Sequence, residues 1–187
     1  MTDPTFWIIA RAAGLVAEVL LGLGLVAGLT LHARPLGRRL RGADVAQVHR
    51  ALGLLGLSAI ALHGVVLTLD RAVPIPVTAL LVPGASPYRP LWVGLGVVAA
   101  WMALIVVLTS TVLRRRLQAP AWRAVHMLSY PAFALTVAHG LAAGTDATVG
   151  WVLALHVGLI GLVAAATAFR VLAGRPAPAR RRPAPAR

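Results

Sequence analysis

Five apolar runs follow one another along this 187-residue sequence, at about 6–31, 45–69, 91–113, 123–143 and 149–172. A helix crosses the hydrocarbon core of a bilayer with about 20 apolar residues, so each run is long enough to span. The chain is 59% hydrophobic with a mean hydropathy of +0.82, and a water-soluble domain averages only about half apolar. Connections are short, and no polar block is large enough to fold by itself. The expected architecture is all-α: one integral membrane bundle of five transmembrane helices over 1–173, then a basic, low-complexity tail at 174–187 expected to be disordered. The leading segment MTDPTFW holds Asp3 and no basic residue, which fits a retained helix rather than a signal peptide.

Arginine supplies all 18 basic residues, and the formal net charge is +13. Basic patches bind nucleic acid when they lie along one soluble face. Here they cluster at the ends of apolar runs, which fixes membrane orientation instead. Arg34, Arg38, Arg39, Arg41 and Arg50 flank the first connection, Arg114, Arg115, Arg116 and Arg123 the third, and six more stand at or beyond the end of the fifth run, against Arg11, Arg71 and Arg89 on the other side. The positive-inside rule sets the N-terminus outside and the C-terminus in the cytoplasm of a cell membrane, a bacterial inner membrane being the expected one. Membrane lipid is the expected partner and nucleic acid is not.

The sequence has no Cys, which removes thiolate haem ligation, iron–sulfur clusters and Cys-based zinc sites. The second connection, 70–90, carries Pro74, Pro76, Pro83, Pro87 and Pro90 around the apolar patch Val77–Val82. Proline at this density forbids a long helix, and the patch suits a lid lying on the outer membrane surface.

Six histidines occur, four of them as His49 and His63 on the second run and His126 and His139 on the fourth. These runs point the same way, and each ionisable group at membrane depth needs a reason to be there. Fourteen residues turn a helix by about 1400°, close to whole turns, and climb about 21 Å, so His49 and His63 share a face at two depths. His49 then meets His126, and His63 meets His139. Each pair offers the two axial nitrogens of a six-coordinate b-type haem. The 13-residue step to His139 leaves it about 140° from the face of His126 on an ideal helix. Pro131 lies between them, and a kink or tightened turn there is expected to re-aim His139. The competing reading is four scattered histidines bonded to backbone, or lining a proton or metal path.

The stretches HRALGLLGLSAIALHG (49–64) and WRAVHMLSYPAFALTVAHGLAAGTD (122–146) resemble the ferric reductase-like transmembrane domain, the membrane haem domain of ferric reductases and NADPH oxidases and of the methionine sulfoxide reductase haem subunit. That resemblance implies two b-type haems, with His49, His63, His126 and His139 as their ligands. It further implies oxidoreductase chemistry, with electrons taken up at a cytoplasmic haem and delivered at an outer one. The chain departs from larger relatives in showing five helices where six are common. No flavin or nicotinamide site is expected within these 187 residues, and Gly22-Leu23-Gly24 with Gly28 lies inside an apolar helix, where glycines serve close packing rather than a dinucleotide. The donor is therefore expected to be a separate flavoprotein, quinol or reductase.

Arg50 and Arg123 adjoin the inner ligands and are candidates to pair with haem propionates, or simply to orient the chain. Arg71, Tyr88 and Arg89 are candidates for the outer propionates or an anionic iron chelate. His156 lies at a depth like that of His63 and His139, as a supporting partner or alternative ligand of the outer haem, or as a buried, hydrogen-bonded residue. His32 is expected at the interface. Glu18 stands seven residues after Arg11 on the first run; mutual neutralisation and a role in proton relay or at a quinone or haem edge are both open. The rival functions are a quinol-linked cytochrome b and a haem-free proton or metal carrier.

Overall fold

The computed structural model describes residues 5–33, 42–71 and 73–173, apart from the side chains of His32 and Ala33. Arg34, Arg38, Arg39, Arg41, the His32 side chain and the 174–187 tail lie outside the described residues. Among the described residues all regular structure is helical: α1 Thr5–Ala33, α2 Gly42–Leu69, α3 Val77–Leu81, α4 Pro90–Thr111, α5 Ala119–His126, α6 Ser129–Ala143 and α7 Gly150–Ala173. Four of these, α1, α2, α4 and α7, are long and apolar enough to cross a membrane.

The fourth expected span, 123–143, is divided. Pro131 has no N–H to give the Met127 carbonyl, its ordinary helical partner. Tyr130 N–H takes that carbonyl instead at 3.2 Å, and Leu128 N–H reaches Val125 O at 3.0 Å. Both are three-residue bonds, and a chain so tightened turns about 120° per residue rather than 100°. The tightened turn expected near Pro131 thus occurs just before it, separating α5 from α6. At 15 residues α6 is about 22 Å long, short of the hydrocarbon thickness unless α5 is added.

Helix α1 is the hub, packed along α2 on one side and against α7 and α6 on others, while α4 packs chiefly on α6. Small residues allow that closeness: Ala10, Ala13 and Ala17 are all buried. Leu25 of α1, Phe133 and Val137 of α6, and Leu159 and Val163 of α7 form the central cluster. Large apolar side chains such as Ile8, Leu55, Leu62, Ile105, Trp151 and Val157 face outward. In water they would be a liability, whereas in lipid they are the natural outer surface.

The second connection does not lie flat across the bundle end. Its short helix α3 drops alongside α4, where the Trp101 indole N–H donates to Leu81 O at 3.1 Å. Trp101 is eleven residues into α4, about 16 Å below Pro90. The chain then climbs back with Gly84 against Gly94, where a Cβ on Gly94 would come within 2.9 Å of the Gly84 nitrogen. Ile75 and Ala79 are buried and Leu80 packs at Gly64, while Val77, Leu81 and Val82 stay exposed. The expected surface lid is therefore a wedge between α2 and α4.

The return of this wedge latches the end of α6. Tyr88 Oη donates to Ala143 O at 3.2 Å, and Arg89 donates to Ala142 O. Both carbonyls belong to the last turn of α6, which has no helical partner for them, and the Arg charge complements the negative end of the helix dipole. Arg89→Ala is expected to cost about 1 kcal/mol, the usual net worth of one hydrogen bond. A lowered unfolding midpoint in detergent micelles, with the helical content of the folded protein unchanged, is the corresponding measurement.

Candidate functional site

The four histidines of α2 and α5–α6 come together in two pairs. His49 and His126 have ring centres 5.8 Å apart with planes at 66°. His63 and His139 have ring centres 6.2 Å apart with planes at 78°. The two levels are separated along α2 by fourteen residues, about 21 Å. Two imidazoles that grip one metal at about 2 Å per bond hold their ring centres about 6 Å apart, so both pairs stand at the spacing of a two-imidazole metal site.

The hydrogen bonds of the rings decide which nitrogen faces the partner. His49 Nδ1 lies 2.8 Å from Gly24 O and His63 Nδ1 lies 2.7 Å from Ala10 O, both on α1. His139 Nδ1 lies 2.9 Å from Trp92 O on α4. A carbonyl only accepts, so in these three rings Nδ1 carries the proton and Nε2 keeps its lone pair. That tautomer is the one a metal-binding imidazole requires. His126 is held differently, by Ser110 Oγ at 3.2 Å and by stacking on Trp122 at 4.9 Å. Trp122 Nε1 in turn donates to Ser110 Oγ at 3.2 Å, and the Arg114 guanidinium lies over the Trp122 ring.

A cavity of about 630 Å³ opens around His63 and His139, walled by α1, α2, α4, α6, α7 and the wedge. Its lining includes a polar pair, Glu18 with His156, that the sequence reading did not bring together. Glu18 and His156 are 2% and 1% exposed, with Oε2 and Nε2 3.2 Å apart. His156 Nδ1–H donates to Val152 O of its own helix at 2.8 Å, which aims Nε2 at Glu18 rather than at His63 and His139. Beyond this contact, Glu18 Oε1 and His156 Nε2 have no hydrogen-bond partner among the described residues. His156 is thus buried beside the upper pair and facing the carboxylate.

Arg11 does not neutralise Glu18. Its guanidinium pairs with Asp146, donates to Thr145 Oγ1 at 2.6 Å and lies over the Trp7 ring. Seven residues separate Arg11 and Glu18 by about 10 Å, and Arg11 turns away, toward the end of the bundle where Asp146 lies. Tyr88 and Arg89 use their polar atoms on the end of α6. Arg50 and Arg123, beside the lower pair, are exposed. Among the described residues no group of three or more His, Asp or Glu is gathered as a metal cage. Four of the described imidazoles stand in two pairs.

A family model described as the ferric reductase like transmembrane component matches residues 13–137. That is about two thirds of the chain, from the first turns of α1 into α6. This chain belongs to that family. Membership makes it a multi-pass membrane protein of a class whose domains transfer electrons across membranes, generally bind haem and usually work with other redox partners. His49, His63 and His126 fall inside the match, which ends two residues before His139. No curated protein and no solved structure matches the chain.

Removing the carboxylate of Glu18 should leave the His156 imidazole buried and alone. Glu18→Ala is expected to destabilise the folded protein by roughly 1–3 kcal/mol, the desolvation penalty of an orphaned polar group. Glu18→Gln, which keeps a polar side chain of the same shape facing His156 Nε2, should lose less. Denaturant unfolding in micelles, followed by tryptophan fluorescence, ranks the two.

Proposed function

We propose that this protein carries electrons across a membrane by way of two b-type haems, one held by His49 and His126, the other by His63 and His139. The observation that carries the reading is the pairing itself: imidazoles at metal-sharing distance at two depths, three of them with Nε2 bare. A haem so held supplies a reversible one-electron couple whose potential depends on its axial ligands and surroundings. The chain's own part is to fix the imidazoles, separate the two levels and surround them with apolar side chains. Arg50 and Arg123 are proposed to meet propionates at the lower level through charge-assisted hydrogen bonds.

In this reading the chain crosses the membrane five times, with α5 and α6 together making one crossing, N-terminus outside and C-terminus in the cytoplasm. The Arg-rich connections support that orientation. Electrons enter at His49/His126 from a separate cytoplasmic donor and leave at His63/His139 to an outer acceptor, as ferric reductase-like chemistry requires. A bacterial inner membrane is the proposed location. The quinol-linked alternative draws on one observation, the buried Glu18–His156 pair in the wall of the upper cavity. Quinol oxidation releases protons, and an acid and an imidazole beside the electron acceptor would receive them. Reduction by a quinol analogue, set against reduction by a cytoplasmic flavin reductase, separates the two donors.

The decisive measurement is a reduced-minus-oxidised spectrum with haem quantitation on the purified full-length protein. Two haems per chain are expected in the wild type. His49→Ala and His139→Ala should each lose one, and the haems that remain should differ in midpoint potential. A wild-type protein without a Soret band, or either variant retaining both haems, overturns the assignment.

A further inference from the structure

Three of the paired histidines are held by one repeated device. His49 bonds the carbonyl of Gly24, His63 that of Ala10 and His139 that of Trp92. Four residues after each acceptor stands a glycine: Gly28, Gly14 and Gly96. In a helix the carbonyl of residue i bonds the N–H of residue i+4, and the side chain of i+4 leans back over that carbonyl. A ring from a neighbouring helix comes most directly onto the remaining lone pair where this side chain is missing. A Cβ on Gly28 would meet His49 Cε1 at 3.1 Å, one on Gly14 would meet His63 Nδ1 at 3.2 Å, and one on Gly96 would meet His139 Nδ1 at 2.7 Å.

The device recurs with a fixed spacing. Ala10 and Gly24 are fourteen residues apart on α1, as are Gly14 and Gly28, and as are His49 and His63 on α2. Helices α1 and α2 therefore repeat the same contact once at each level. His126 lacks the device and rests on a side-chain hydroxyl, Ser110 Oγ, which donates as readily as it accepts.

The geometry points to Gly14, Gly28 and Gly96 as positioning residues that open a helix carbonyl to each imidazole, holding its Nδ1 proton and turning Nε2 toward the opposite ring. This rests on the haem assignment above. A donated Nδ1–H makes an imidazole a more basic ligand, which favours ferric iron. Weakening the bond should therefore raise the midpoint potential of the haem it serves.

The test is Gly14→Ala and Gly28→Ala in the full-length protein, each read by haem content, redox titration and low-temperature electron paramagnetic resonance. Gly158→Ala, where a Cβ meets nothing within 4 Å, is the control. Gly28→Ala should raise the potential and change the g-values of the His49/His126 haem alone, and Gly14→Ala those of the His63/His139 haem alone. Gly96→Ala has the tightest approach and should cost the His63/His139 haem outright. Both haems unchanged in Gly14→Ala and Gly28→Ala, a lowered potential, or equal loss of both haems in each, overturns the glycine assignment. A wild-type protein that binds no haem instead overturns the function on which it rests.

Discussion

Inside a bilayer an imidazole N–H has no water to turn to, so it settles where a neighbouring helix exposes a carbonyl. That requirement organises this molecule. His49 and His63 commit α2 to one register against α1, through Gly24 and Ala10. His139 commits α6 to α4 through Trp92. The close packing of α1 on α2, and of α4 on α6, follows from these bonds together with the small residues that let the backbones approach. Once the Nδ1 sides are satisfied, the Nε2 sides converge, and the space between α1–α2 and α4–α6 becomes the centre of the protein.

Much of this was legible in the sequence because the signals are periodic. The apolar runs are long and uninterrupted, and the 49–63 spacing is nearly a whole number of turns. The fourth run was harder. Its composition reads as one span, yet a single missing N–H at Pro131 moves the Met127 carbonyl to a new partner and divides the run in two. The sequence signal was there, in the proline and the awkward 13-residue step. How short α6 would become was not, since helix length depends on the tertiary contacts that end it.

Two features were out of reach for a different reason, which is that partners far apart in sequence leave no local trace. Glu18 and His156 are separated by most of the chain, and nothing near either residue announces the other. Arg11 was the nearer candidate for Glu18, but Asp146 and Thr145 lie where its side chain naturally reaches. Likewise the prolines at 74–90 rule out a long helix without saying where the segment goes. The Trp101–Leu81 bond and the Gly84–Gly94 approach carry it down the side of α4. Gly28 did signal closeness, though its neighbour proves to be the His49 ring rather than another backbone.

Because both acceptor carbonyls for α2 sit on one continuous stretch of α1, that helix works as a ruler. Inserting or deleting a single residue between positions 10 and 24 would rotate one mark by about 100° and shift it by about 1.5 Å relative to the other. No choice of side chain repairs such a slip. The stretch is thus constrained in length more severely than in composition, and related chains are expected to vary freely in the apolar residues there while keeping the interval itself intact.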